Sequence, residues 1–407
     1  MQKKNVCVVG LGYIGLPTAA LLASNEFNVV GVDLNAHVVE TINLGRIHIV
    51  EPDLDAFVRS AVETGRLKAC VKPQAADIYM ICVPTPFHVG GEIPQPNIDY
   101  VLSATRSIAE FIKPGDLVIL ESTSPVGTTQ EMAEVLKQAG VDVMNIHVAY
   151  CPERVLPGKI MTELVENDRV VGGLTPEATH AVSGFYRSFV RGAVLETDAK
   201  TAEMCKLAEN SFRDVNIAFA NELSLICDKV GINVWNLIQL ANLHPRVNIL
   251  QPGAGVGGHC IAVDPWFIVA RDPENSKLIR TAREVNNNKT DWAIDQIKNA
   301  VVATTALTGR KTKVACLGLA FKPDIDDLRE SPAVQITDAL LLQNYDVVVV
   351  EPNIETHHKY ELVTLEAALK TADVIAVLVK HREFLDTAVK TELGLRGALD
   401  FCGVTLL

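Results

Sequence analysis

At 407 residues the chain exceeds what one hydrophobic core organises, so two or three domains are expected. It is 48% hydrophobic and 21% charged, the make-up of an ordinary folded protein. Its formal net charge of −12 excludes the broad basic face that nucleic acid requires, though not a local cationic pocket for a small anion.

The apolar run from Asn5 to Val9 reads as a buried strand. Gly10-Leu11-Gly12-Tyr13-Ile14-Gly15 follows it directly, and Leu16 to Asn25 reads as a helix, with Pro17 tolerated in its first turn. A second strand, Val29 to Val32, ends at Asp33. GxGxxG alone is a weak signal. Between strand and helix, with an acid ending the next strand, it has the context of a dinucleotide fingerprint. The glycines would admit a pyrophosphate to the helix N-terminus, and Asp33 would accept hydrogen bonds from ribose hydroxyls. Leu34 and Asn35 follow, with no Arg to hold a 2′-phosphate, so NAD is expected rather than NADP. Because this motif begins at once, no signal peptide is expected. No apolar run approaches the length of a membrane span, and a soluble cytoplasmic protein is expected.

Further strands read at Ile78 to Val83, Leu117 to Leu120 and Ile146 to Tyr150. Each runs into a polar or proline loop: Pro84-Thr85-Pro86, Glu121-Ser122-Thr123-Ser124-Pro125 and Cys151-Pro152-Glu153-Arg154. Ligands of open α/β sheets bind at such strand ends. Strand and helix alternate to about residue 190, which predicts a doubly wound parallel sheet. Glu153 and Arg154 belong near its crevice, or form a solvated turn pair.

Residues 198 to 242 read as one long helix, apolar on more than one side and so buried between domains or subunits. Lys206, Asn210 and Arg213 share one of its faces, either to address an anion or to meet water. The loop Gly253-Ala254-Gly255-Val256-Gly257-Gly258-His259-Cys260 follows. Its glycines permit close approach of a bulky ligand. Cys260, with Asp264 four residues on, is a candidate nucleophile or a buried structural thiol. His244 and His259 flank the loop as substrate contacts or loop donors.

A helix is expected from Leu278 to Val302, a linker at Gly309-Arg310-Lys311, then a second α/β unit. Its strands read at Lys313 to Leu317, Asp346 to Val350 and Val374 to Val379, with Ser331-Pro332 opening a helix. The first turn lacks GxGxxG, so this half-Rossmann unit ought to hold less than a whole dinucleotide. Lys322, Asp326, Asp327 and Arg329 form a charged loop suited to phosphates. The nine cysteines form no CxxC pair, which is reduced usage. The ten histidines show no HxxxH or HExxH spacing, so no metal is expected.

In family order, GLGYIGLP at 10–17, VPTP at 83–86, ESTSPVGT at 121–128, CPERVLPG at 151–158, EMCKLAEN at 203–210, GVGGHCIAVDP at 255–265 and FKPDIDDLRESPA at 321–333 resemble the nucleotide-sugar dehydrogenases that oxidise UDP-sugars at C6. The fold class so implied is α/β: two Rossmann-like parallel-sheet domains joined by a long central helical segment. Residues 1–195 would bind NAD, 196–305 would carry catalysis and dimerisation, and 306–407 would bind the UDP-sugar. The enzymes acting on UDP-glucose usually carry Ser and Lys where this chain has His259 and Val263. That departure argues against UDP-glucose, and the stretches 200–227 and 244–267 are similar to members acting on UDP-N-acetyl-D-mannosamine, with UDP-N-acetylglucosamine or another UDP-hexose as the alternative. The loop 88–97 is longer than usual and the terminus 398–407 is short.

The resemblance implies a two-step oxidation through a Cys260 thiohemiacetal and thioester. Lys206 matches the catalytic lysine. Asn210 and Asp264 would orient water or complete the oxyanion network, and Glu153 and Thr123 would serve hydrolysis. Gly10, Gly12, Tyr13, Ile14, Gly15, Asp33, Pro84, Thr85, Thr123 and Arg329 would hold NAD. Arg154, Val155, Lys206, Asn210, Arg213, His244, Arg246, Gly257, Phe321 and Lys322 would hold substrate. A homodimer is implied, with no nucleic acid and no membrane partner.

Overall fold

The computed structural model describes residues 4–88, 90–258 and 260–405, and it divides into two compact units, Met1–Ala208 and Glu209–Leu407. His259, marked by the sequence beside the thiol, lies outside the described residues.

The first unit is built on β1 (Asn5–Val9), β2 (Asn28–Val32), β3 (Leu67–Cys70), β4 (Ile78–Ile81), β5 (Leu117–Leu120), β6 (His147–Tyr150), β7 (Arg169–Gly173) and β8 (Val194–Asp198). They lie in the order β3-β2-β1-β4-β5-β6-β7-β8. β4 and β5 are buried along their whole length, as unbroken apolar strands covered on both faces must be. Successive side chains of β1 alternate between two cores: Val6 and Val8 join one with Leu16 and Leu22, Cys7 and Val9 the other with Tyr79 and Tyr150. The order reverses between β1 and β4, which opens the ligand crevice of such sheets at the carboxyl ends of these strands. Residues 10–15 and 84–86 begin there.

The expected doubly wound parallel sheet carries one antiparallel pairing. β7 runs antiparallel to β6, with Ala149 opposite Gly173 and Tyr150 opposite Gly172. The link between them holds only a seven-residue helix, Ile160–Glu166, about 10 Å long. The chain re-enters the sheet from the edge where it left instead of crossing over. Arg169, the first residue of β7, therefore arrives at the carboxyl edge of β6.

The helix expected over 198–242 is two helices, Ala199–Val230 and Val234–Ala241. Gly231 takes a φ of 73°, and Asn233 caps the second helix by accepting from the Asn236 N–H. A left-handed glycine is a common helix stop. The unit boundary falls inside the first of these helices.

The second unit carries β9 (Lys313–Leu317), β10 (Asp346–Val350), β11 (Val374–Val377) and β12 (Leu399–Asp400), ordered β10-β9-β11-β12 and parallel throughout. The helix Lys277–Thr308 runs past the expected Val302 and stops at Gly309, φ 67°. Ser331 caps the helix Pro332–Leu342, with proline in its first turn. Val314 and Cys316 face one core, Ala315 and Leu317 the other. Among the described residues no helix is long and apolar enough to cross a membrane.

Candidate active site

In the first unit, chain geometry explains two glycines of the fingerprint and leaves the third in open space. A Cβ on Gly15 would lie 1.8 Å from the Gly10 carbonyl, and one on Gly10 would lie 2.6 Å from the Cys82 carbonyl. A Cβ on Gly12 would meet nothing within 4 Å. That open face lies at the start of the helix Gly15–Ser24, which no side chain caps. It suits a pyrophosphate at a helix N-terminus. Tyr13 and Ile14 lie between the glycines. Asp33 follows β2 and accepts from the backbone N–H groups of Leu11 (3.2 Å) and Asn35 (2.9 Å). Thr85 donates to the Thr123 carbonyl at 2.7 Å, which joins the loops after β4 and β5, and Pro84 is exposed beside it. These residues fit a dinucleotide.

Glu153 follows β6 and is 6% exposed. Its carboxylate accepts from the Arg169 guanidinium at 2.6 Å and the Arg154 N–H at 2.7 Å. Its carbonyl accepts from the Lys206 ammonium at 2.6 Å. Glu153 and Lys206 thus meet, through the main chain of the glutamate. Behind them lies a buried group that sequence reading missed. Glu121 accepts from the Tyr186 hydroxyl (2.7 Å) and the Cys82 thiol (3.3 Å), and the Arg169 guanidinium lies 5.4 Å from the centre of the Tyr186 ring. Burial pushes the Glu121 carboxyl above its usual range, against the pull of Arg169. The sequence marked Glu121 only as the start of a polar strand-end loop, and the signal for Arg169 was only an Arg opening an apolar strand. Arg154 donates to the Asp168 carbonyl, and Val155 packs on the core.

In the second unit, Asn210 donates to Asp264 at 2.5 Å, and both are buried. The Cys260 carbonyl accepts from the N–H groups of Val263 (3.0 Å) and Asp264 (2.8 Å). That turn ties the half-buried thiol residue to the aspartate. The loop before it is moored to two helices. Asn221 accepts from the Gly253 N–H and donates to Asn286, while Thr290 donates to the Ala254 carbonyl. A Cβ on Gly258, φ 82°, would lie 2.8 Å from the Phe321 ring, and one on Gly257 would lie 2.5 Å from the Glu330 carbonyl. Only glycine lets the thiol loop lie this close to the Phe321 loop. Beside it is a cavity of about 240 Å³ lined by Gln251, Gly253, Phe321, Pro323, Lys380 and Cys402.

Other residues marked by the sequence are not drawn into these clusters. Arg213, His244, Arg246 and Lys322 are exposed, with the Arg246 N–H 3.3 Å from the His244 ring. Arg329 is paired to Asp327 within its own loop. Among the described residues, Asp324, His381 and Glu383 offer ligand atoms within 4.8 Å of one another. Both nitrogens of His381 are already engaged by protein groups, and both acids are exposed, which does not mark a metal centre.

Comparison with known proteins identifies the family. Family models match in order: the NAD binding domain of the UDP-glucose/GDP-mannose dehydrogenase family at residues 4–190, its central domain at 200–288 and its UDP binding domain at 315–402. A UDP-N-acetyl-D-mannosamine dehydrogenase of Yersinia pestis is 57% identical, with 96% of each chain covered. An NDP-N-acetyl-D-galactosaminuronic acid dehydrogenase of Ralstonia nicotianae is 54% identical, covering 94% of this chain and 93% of that one. The solved structure of a UDP-D-ManNAc dehydrogenase from Pyrococcus horikoshii superposes with a TM-score of 0.88 at 37% identity, covering 98% and 96% of the two chains.

Proposed function

The chain belongs to the UDP-glucose/GDP-mannose dehydrogenase family and is an NAD-dependent nucleotide-sugar dehydrogenase, and from that premise we propose that it oxidises the C6 hydroxyl of UDP-N-acetyl-D-mannosamine to the carboxylate. The division of labour follows the three segments: 1–195 for NAD, 196–305 for catalysis and dimerisation, 306–407 for the UDP-sugar. What supports the reading most is the loop that ties Cys260 to Asp264 at one end and packs Gly258 on Phe321. It joins a nucleophile candidate to a nucleotide-binding loop.

Bound NAD supplies a hydride acceptor, once for the alcohol and once for the thiohemiacetal. The C6 hydroxyl gives its proton to solvent, the Lys206 ammonium stabilises the resulting alkoxide, and loss of the first hydride to NAD gives the aldehyde. The Cys260 thiolate adds to that aldehyde carbon, and loss of the second hydride leaves a thioester. Water then attacks the thioester and the sulfur leaves as thiolate; Asp264 and Asn210 are read as orienting that water or completing the oxyanion network, and Glu153 and Thr123 as serving the hydrolytic step. Holding the aldehyde on sulfur lets one site perform both steps without releasing it. Arg154, Val155, Arg213, His244, Arg246, Phe321 and Lys322 are read as substrate contacts and Arg329 as a cofactor contact. The chemistry fits a cytoplasmic enzyme, where NAD and nucleotide sugars meet.

A homodimer is part of the reading. Phe212, Phe219 and Ile226 recur every seven residues along Ala199–Val230 and are 70%, 51% and 51% exposed in the single chain. Such a stripe is unusual on a surface that meets only water.

The sugar is tested by NADH release at limiting substrate, with UDP-N-acetyl-mannosamine, -glucosamine, -galactosamine and UDP-glucose in parallel. Two NADH per UDP-N-acetylmannosamine, with that sugar preferred, is the expected result. One NADH per sugar would remove the thioester, and preference for the galactosamine would move the substrate toward that of the Ralstonia relative.

A further inference from the structure

Behind the Phe321–Lys322 turn stand two buried groups that the proposed chemistry does not use. Glu351 follows β10 and is 5% exposed; His381 follows β11 and is 0% exposed. Glu351 accepts from the backbone N–H groups of Leu319 at 2.7 Å and Ala320 at 3.0 Å. His381 Nε2 lies 3.0 Å from the same carboxylate oxygen. His381 Nδ1 accepts from the N–H of Asp324 at 3.0 Å, a residue with φ of 61°. The carboxylate therefore holds the entry to the turn, the imidazole holds its exit, and a hydrogen bond joins the two.

The partners fix the protonation pattern. A backbone N–H has only a proton to give, so Nδ1 must be bare and Nε2 must carry the hydrogen that faces Glu351. Burial raises the Glu351 carboxyl, but the bonds from His381, Leu319 and Asn353 outweigh it and bring it to about 2. It is a carboxylate throughout the working range. Asn353 ties the pair from the side, 3.1 Å from Glu351 Oε1 and 3.0 Å from His381 Nδ1. The Phe321 ring is the surface on which Gly258 of the thiol loop rests.

We infer that His381 and Glu351 are positioning residues that fix the segment 319–324 from both ends, so that Phe321 and Lys322 are already shaped for the uridine diphosphate part of the substrate. The inference rests on the reading that this turn holds the UDP-sugar.

The test uses the full-length protein, with UDP titrated by calorimetry and NADH by fluorescence. His381→Gln keeps a donor toward Glu351 and loses the acceptor for Asp324; His381→Asn does the reverse; Asn353→Ala removes the side tie without stranding a charge. Each variant that keeps the native circular dichroism should weaken UDP binding about tenfold, the scale of one lost buried hydrogen bond, and leave the Kd of NADH within about twofold. Unchanged UDP binding, or equal losses for UDP and NADH, would overturn the positioning role. Phe321→Ala and Lys322→Ala are the controls. If they leave UDP binding intact, the assignment of this turn to the nucleotide is what fails.

Discussion

At the scale of single residues, burial sets how readily several of the cysteines react. Burial pushes the thiols of Cys7 to about 11, Cys151 to about 12 and Cys316 to about 12. Each stays protonated at neutral pH and is poorly nucleophilic. Iodoacetamide at about pH 7.5 should leave these three unmodified in the native protein and label them only after denaturation. Mass mapping of the alkylated peptides checks this, and the proposal for Cys260 adds that substrate shields it from the reagent. Gly258 gives a second residue-scale outcome. Gly258→Ala meets both a left-handed φ and the Phe321 ring, so turnover should fall at least tenfold with NADH binding unchanged.

At the scale of elements, the helices Ala199–Val230 and Lys277–Thr308 are joined inside the second unit by buried polar groups. Arg283 pairs with Asp214 at 2.6 Å, and Asn286 donates to the same carboxylate at 2.8 Å. Burial raises the Asp214 carboxyl, although Arg283 pulls it down. Asp214→Ala strands a buried guanidinium and should cost about 3–5 kcal/mol in denaturant unfolding. The chain of bonds continues through Asn286 and Asn221 to Gly253, so the same substitution should loosen the thiol loop.

Lys289, on the same long helix, is 2% exposed, donates to Ser224 at 2.8 Å and lies 3.7 Å from the centre of the Trp292 ring. Burial lowers it from 10.5 to about 7. The folded state binds this proton less readily than the unfolded chain does. The cost is absent above about pH 10.5, grows as pH falls and is complete below about pH 7. Lys289→Met should therefore raise the thermal midpoint, by more at about pH 6.5 than at about pH 10.

For the whole molecule, the apolar stripe of Phe212, Phe219 and Ile226 predicts self-association. Phe212→Glu with Phe219→Glu should shift sedimentation from dimer to monomer, because paired carboxylates cannot be buried unpartnered in an apolar contact. A wild-type chain that sediments as a monomer would remove the dimer from the proposal.

Periodicity and punctuation carried the fold class, because a strand covered on both faces must read as an apolar run and a fingerprint must begin where that run ends. Gly10 to Gly15, Asp33, Thr85 and Thr123 could thus be placed at strand ends from their order alone. The stop at Gly231 was written in the sequence, but the apolar spacing on both sides of it masked the break. What only the tertiary structure decided is pairing direction and side-chain aim. The antiparallel return of β7 sets Arg169 against the Glu153 carboxylate, and the far-apart Glu351 and His381 close on one turn. The reason is physical: local sequence fixes which groups are buried and at which end of an element they lie, whereas a buried charge takes its partner from whatever chain the fold brings alongside.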